Sequence, residues 1–166
     1  MVDHVFNDAV LEPQWHAWYA GYLHKLVSVP GIHTAQRFKA VDHVPPRFLA
    51  MYSIDSADVY ESAGYKGIGG GGSQSERFHP VYKLWTRNLL DGLDRVPPVR
   101  AGQRVVVLDA AERGASDRLG PGTVWLKSVG LHMTTPWRAL AVADASAGAP
   151  QGGFVYEPFT EPLSKP

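Results

Sequence analysis

An α+β fold of the ferredoxin-like type is what this sequence predicts, a four-stranded antiparallel sheet with its helices on one face. Three observations predict it. Apolar and aromatic residues recur at helical spacing at Trp15, Trp18, Tyr19, Tyr22, Leu23 and Leu26. Val29-Pro30-Gly31 then ends that helix, and two alternating segments follow, Ile32 to Val41 and Arg47 to Asp55. With a strand before the helix and a helix and strand after the pair, the order over Val2 to Leu108 reads strand–helix–strand–strand–helix–strand.

Each element has a local reason. Val2, His4 and Phe6 alternate with Asp3, Val5 and Asn7, so Val2 to Val10 holds a short strand. Glu12-Pro13 suits a helix start, because proline lacks only an N–H that would go unused there and an acid complements the positive end of the dipole. The aromatic stripe of that helix is a core-facing stripe. In the next strand His33, Ala35, Arg37 and Lys39 share one face, and Thr34, Gln36, Phe38 and Ala40 the other. Asp42 to Pro46 reads as the antiparallel turn. Phe48, Ala50, Tyr52 and Ile54 oppose Leu49, Met51 and Ser53, so the following strand is apolar on both faces and central. A helix is expected to start at Asp55-Ser56 and carry Val59, Tyr60, Ala63 and Tyr65. Beyond the glycines, Val81, Leu84, Trp85, Leu89 and Leu90 give a helical pattern within Arg77 to Leu93. Strands follow at Arg104 to Ala110, Thr123 to Met133, Trp137 to Ala143 and Phe154 to Phe159. Pro46 followed by FLAMYSID echoes Pro136 followed by WRALAVAD, so residues 111–166 are read either as extra strands or as a shortened second half.

Composition excludes several classes. At 166 residues, 45% hydrophobic, one cored domain over 1–166 is expected. Sixteen basic residues balance sixteen acidic ones, so nucleic acid and membrane surfaces are not expected partners. With no cysteine there is no thiolate nucleophile and no Cys-ligated metal. The first residues carry no export signal pattern, and the expectation is a cytoplasmic protein. The run Gly67-Ile68-Gly69-Gly70-Gly71-Gly72-Ser73 lacks the order of a phosphate-binding loop and is expected to be a mobile lid. No serine sits in a G-x-S-x-G turn. His16 and His24 would stand about 12 Å apart on one helix and cannot share a metal. A single histidine suffices as a haem ligand, so haem stays open, and no cofactor is called for.

Histidines, tyrosines and an arginine carry what chemistry remains. His33 and Arg37, on one strand face, are read as a base and an anion-stabilising donor projecting into a cavity, or else as a solvated face with carboxylate partners. His132, near Trp137, is a second acid or base, or a structural histidine. Tyr52, Tyr22, His79 and Trp137 are the candidate substrate contacts, with core tyrosines and a helix-capping histidine as the plainer roles.

Trp15-Trp18-Tyr19, Leu23-Leu26-Ser28-Val29-Pro30-Gly31, Arg37-Phe38, Pro46-Arg47-Phe48-Leu49-Ala50-Tyr52 and Ser62-Ala63-Tyr65 together resemble EthD-like proteins of the dimeric α+β barrel superfamily. The resemblance covers about residues 1 to 110. It implies two sheets joined into a barrel that holds a small organic ligand, and relatives that include lyases, dehydratases, cyclases, isomerases and cofactor-free oxygenases. The expectation is therefore a cofactor-independent enzyme working by proton transfer on a hydrophobic, aromatic or polyketide-like compound, with a non-catalytic binding or assembly domain or a cofactor-free oxygenase as alternatives. A homodimer is expected through the sheet face that the helices leave bare.

Overall fold

The computed structural model describes residues 1–42, 47–114 and 119–165, and all of the expected turn at Asp42 to Pro46 except Asp42 lies outside them. Its strands are β1 (Val2–Phe6), β2 (Ile32–Ala40), β3 (Phe48–Ile54), β4 (Tyr82–Asp91), β5 (Gln103–Ala110), β6 (Val124–Leu131), β7 (Trp137–Asp144), β8 (Gly153–Pro158) and β9 (Leu163–Ser164). The α-helices are α1 (Glu12–Ser28) and α2 (Ala63–Gly67), with 3-10 turns at Ala57–Glu61 and Gly70–Val81.

Eight strands close on themselves. The order β3-β1-β4-β6-β7-β5-β8-β2 returns to β3 through the β2–β3 pairing, and every pair is antiparallel. Two-residue β9 adds to β2. This overturns the expected ferredoxin-like sheet, open on one face and completed to a dimeric α+β barrel by a second copy. The chain's own strands β5 to β8 supply the other wall, and among the described residues helix is confined to α1, the five-residue α2 and the 3-10 turns. The sheet face that motivated a homodimer is occupied from within. The order also repeats, as β2-β3-β1-β4 and then β6-β7-β5-β8, which places the echoing strands β3 and β7 at matching positions.

The expected helix within Arg77 to Leu93 is strand β4. Its register shifts against β1 at Val5/Phe6 and against β6 at Leu89/Leu90, and these irregularities break the period of two that would have revealed a strand. The expected helix from Ser56 is shorter and split. Ser56 and Ser62 accept the backbone N–H of Asp58 and Tyr65, each capping one short turn.

The barrel interior is filled. Phe38, Leu49, Met51, Val107, Leu140 and Tyr156 meet there. At one end Arg138 sits between two acids, its Nη1 donating to Asp3 Oδ2 at 3.0 Å and its Nε to Asp109 Oδ1 at 2.7 Å. The two carboxylates hold this buried guanidinium charged.

α1 lies on the outside of the barrel. Asp8 caps the approach to it by accepting from Val10 N and Leu11 N at 2.9 and 3.0 Å. Trp15, Tyr19, Leu23 and Leu26 are buried against Phe6, Phe48 and Ala50. Trp15 stacks on Phe6 with ring centroids 4.7 Å apart, and its Nε1 donates to Tyr82 Oη at 2.9 Å. After α1 the chain turns at Gly31, whose φ of +86° and contact with Val59 leave no room for a Cβ.

Candidate active site

A cavity of about 400 Å³ lies between α1, the outer face of β1, β3 and β4, and the segment carrying α2 and the glycine run. It lies outside the packed barrel. The same stripe of α1 that anchors the helix also makes one wall, because Trp18 and Tyr22, at the edge of the stripe, are half-buried and face the opening. Alternation on β1 turns His4 to this side with Phe6. On β4 the register shift lets Tyr82 share that face with Trp85 and Arg87, since Phe6, His4 and Val2 pair with Tyr82, Trp85 and Arg87 in turn. Tyr52 reaches it from β3.

His4 is 2% exposed and lines the cavity, with its ring among those of Trp15, Tyr19 and Tyr82 at centroid distances of 5.4 to 5.8 Å. Its Nδ1 is buried with no hydrogen-bond partner. Burial first, and then the Arg37 guanidinium, hold its pKa well below the usual 6.5, so the imidazole is neutral at pH 7. The hydroxyls of Tyr19 and Tyr52 lie 2.5 Å apart. One donates to the other, and the acceptor keeps a proton to donate elsewhere. Burial raises the pKa of Tyr19, Tyr22, Tyr52 and Tyr82, which keeps all four phenols protonated.

Arg37 lies just behind this layer. It is 1% exposed, and its Cζ stands 4.0 Å from the Tyr19 ring centroid and 4.4 Å from that of Trp15. Nη2 contacts His16 Nδ1 at 3.3 Å, His16 Nε2 contacts Glu12 Oε1 at 3.4 Å, and Nη1 has no partner. His16 can accept from the arginine and donate to the acid only as neutral imidazole. Its pKa falls to about 4, chiefly through burial and then through Arg37.

The residues singled out in the sequence divide accordingly. Tyr52 and Tyr22 line the cavity. His79 does not line it; it stands behind two residues that do, with Nε2 2.9 Å from Ser75 Oγ and its ring stacked on Trp85. Arg37 acts on the cavity through Tyr19 and His4, because Ala35 and Arg37 face outward under α1 while Gln36 and Phe38 take the barrel side, and a register shift at His33 separates that histidine from them. His33 is occupied at the rim, where Nε2 meets Asp55 Oδ1 at 2.5 Å. His132 is exposed and bonds the backbone of Arg87. Trp137 is on β7, away from the cavity lining. Within the glycine run, Gly69, Gly71 and Gly72 have φ of +76°, +80° and +106°, and Gly69 to Gly72 form part of the wall.

Sequence reasoning missed His4, Tyr19, Tyr82 and Arg87 as site residues. A signal existed for His4, a histidine on the same strand face as Phe6. For Tyr82 and Arg87 there was none, because their segment read as helix.

Among the described residues no three histidines or acids are placed to hold a metal ion. No helix of the described residues is long and apolar enough to cross a membrane. The cavity and its groups define a class only by geometry, a closed antiparallel barrel with an aromatic pocket between its outer face and a helix. Comparison with protein-family models, curated proteins and solved structures finds no match to this chain.

Proposed function

We propose that this protein is a cofactor-independent enzyme that moves a proton on a flat, largely apolar small molecule, in a lyase or isomerase type of reaction. The observation that carries the reading is convergence: a neutral, unpartnered imidazole and protonated phenols line one aromatic cavity. A neutral His4 removes a proton from carbon next to a carbonyl, and the carbonyl oxygen, becoming an enolate, receives hydrogen bonds from Tyr52 or Tyr22. The nearby Arg37 charge disfavours an imidazolium at His4, so the proton is returned to the ligand at a second carbon or passed to a leaving group. Aromatic walls exclude water from the enolate. A cytoplasmic location for such an enzyme of small-molecule metabolism belongs to the same proposal.

The planar ketone 2-tetralone serves as a test probe, with exchange of its C1 protons in D2O followed by NMR. Wild type should exceed the buffer rate, and His4→Ala should lose about a hundredfold or more of the excess. The rate should stay flat between pH 6.5 and 8, since His4 is already neutral there. Binding of the ketone with no exchange above buffer would refute the enzyme and leave a non-catalytic binding domain.

A further inference from the structure

We infer that the ligand of this cavity carries a carboxylate, and that Arg87 receives it. The inference rests on the reading of the cavity as a small-molecule site and names the chemistry of one end of the molecule. Arg87 lines the cavity from β4, its Cζ 4.9 Å from the Trp85 ring centroid, and its Nε is buried with no partner. Among the described residues no carboxylate lies within ion-pair distance of it. Of the other ionisable groups on the lining, Lys66 and Glu61 pair at 2.7 Å, and the Met1 amine, which burial pushes down to about 5, donates to Asn88 O at 2.8 Å. Arg87 therefore lines the cavity as a cation with no counter-charge among the described residues.

The backbone of Arg87 is tied to His132. Arg87 N donates to His132 Nδ1 at 3.2 Å, and His132 N donates back to Arg87 O at 2.8 Å. The neighbours of His132, Leu131 and Met133, adopt left-handed φ values of +63° and +48°, a conformation unfavourable for side chains of their kind. Strain concentrated beside a cavity-lining cation is the pattern of a fixed binding group. Guanidinium and carboxylate match in a two-bond fork that an ammonium cannot reproduce. The ligand class is then a planar aromatic or polycyclic acid, its rings over Trp85 and Trp18 and its acid group on Arg87. A phosphate ester would ask for more than one free cation, and the lining offers one.

Isothermal titration calorimetry with 1-naphthoate and the neutral 1-naphthalenemethanol, at pH 7.5, separates the possibilities. Wild type should bind the acid more tightly than the alcohol. Arg87→Gln should weaken the acid by roughly ten- to a hundredfold, while binding of the alcohol changes little. Arg87→Lys should recover only part of the loss, and unchanged binding of the alcohol shows that each variant keeps its cavity. Equal affinity of wild type and Arg87→Gln for 1-naphthoate, with the alcohol still bound, overturns the carboxylate inference and leaves the cavity reading standing. Failure of both probes to bind wild type overturns the cavity reading and the inference with it.

Discussion

Replacing Arg37 with methionine should leave the fold as stable or make it more so, although Arg37 is among the most buried side chains in the protein. The prediction follows from comparing magnitudes. Two close cation–π contacts, to Tyr19 at 4.0 Å and Trp15 at 4.4 Å, contribute up to about 2 kcal/mol each when desolvated. The long contact to His16 Nδ1 adds about 1 kcal/mol. Against this stands the removal of a full charge from water, several kcal/mol per ion even after relaxation, with no carboxylate among the described residues bonded to the guanidinium. The unpartnered Nη1 costs roughly 1–3 kcal/mol more. Methionine keeps most of the apolar stem and removes the charge, so Arg37→Met should gain roughly 1–2 kcal/mol. Arg37→Ala also empties the space under Trp15 and should lose about 2–3 kcal/mol relative to Met. Urea unfolding followed by tryptophan fluorescence, at constant m, measures both. A loss of stability in Arg37→Met, by about 1 kcal/mol or more, would refute the reasoning and mean that the aromatic cage outweighs desolvation.

Two further outcomes follow from the same region. His16, with its pKa near 4 in the fold against 6.5 outside it, takes up a proton in the unfolded chain first as pH falls. His16 should therefore contribute a decline in stability between pH 6.5 and 4 of up to about 3 kcal/mol, and His16→Asn should remove that share of the slope while leaving the share of the buried His4, in denaturation curves taken across the range. Gly70→Ala should lower the thermal midpoint more than Gly71→Ala, because a Cβ on Gly70 runs into the Tyr65 ring and carbonyl, whereas Gly71 has open space and only its φ of +80° to strain, at roughly 1 kcal/mol. The reverse order in a thermal melt would show that the run has no fixed path.

What could be read from the sequence was local. α1 and the two faces of β3 follow from periods of 3.6 and 2, and β5 to β8 sit where turn residues and β-branched runs place them. Pairing partners are not local. Whether Phe38 and Leu49 face a second copy or the chain's own Leu140 and Tyr156 is decided by contacts more than ninety residues away, and nothing in either strand distinguishes the two. The same ambiguity put Arg37 on the wrong side: alternation groups it correctly with Ala35, a register shift at His33 breaks the grouping with that histidine, and only the closure of the barrel says which face points outward. β4 was hidden for another reason, since its two register shifts changed the phase of its apolar residues partway along.

Closure within one chain also decides where chemistry can occur. Eight strands leave an interior about as wide as the side chains that fill it, and here that interior is filled by aromatic and aliphatic residues with the Asp3–Arg138–Asp109 cluster at one end. A ligand must then bind on the outside, where one helix covers part of a sheet too wide for it. α1 seals Phe6, Phe48 and Ala50 with Trp15 and Leu23, and the segment from Ala57 to Val81 roofs what α1 does not reach. A long helix in that position would pack against the sheet and close the gap. Two short turns and a run of glycines cannot bury the whole face, so His4, Tyr52 and Arg87 stay lined up on strands with space in front of them. The irregular segment that breaks the expected helix pattern is thus the feature that makes the cavity.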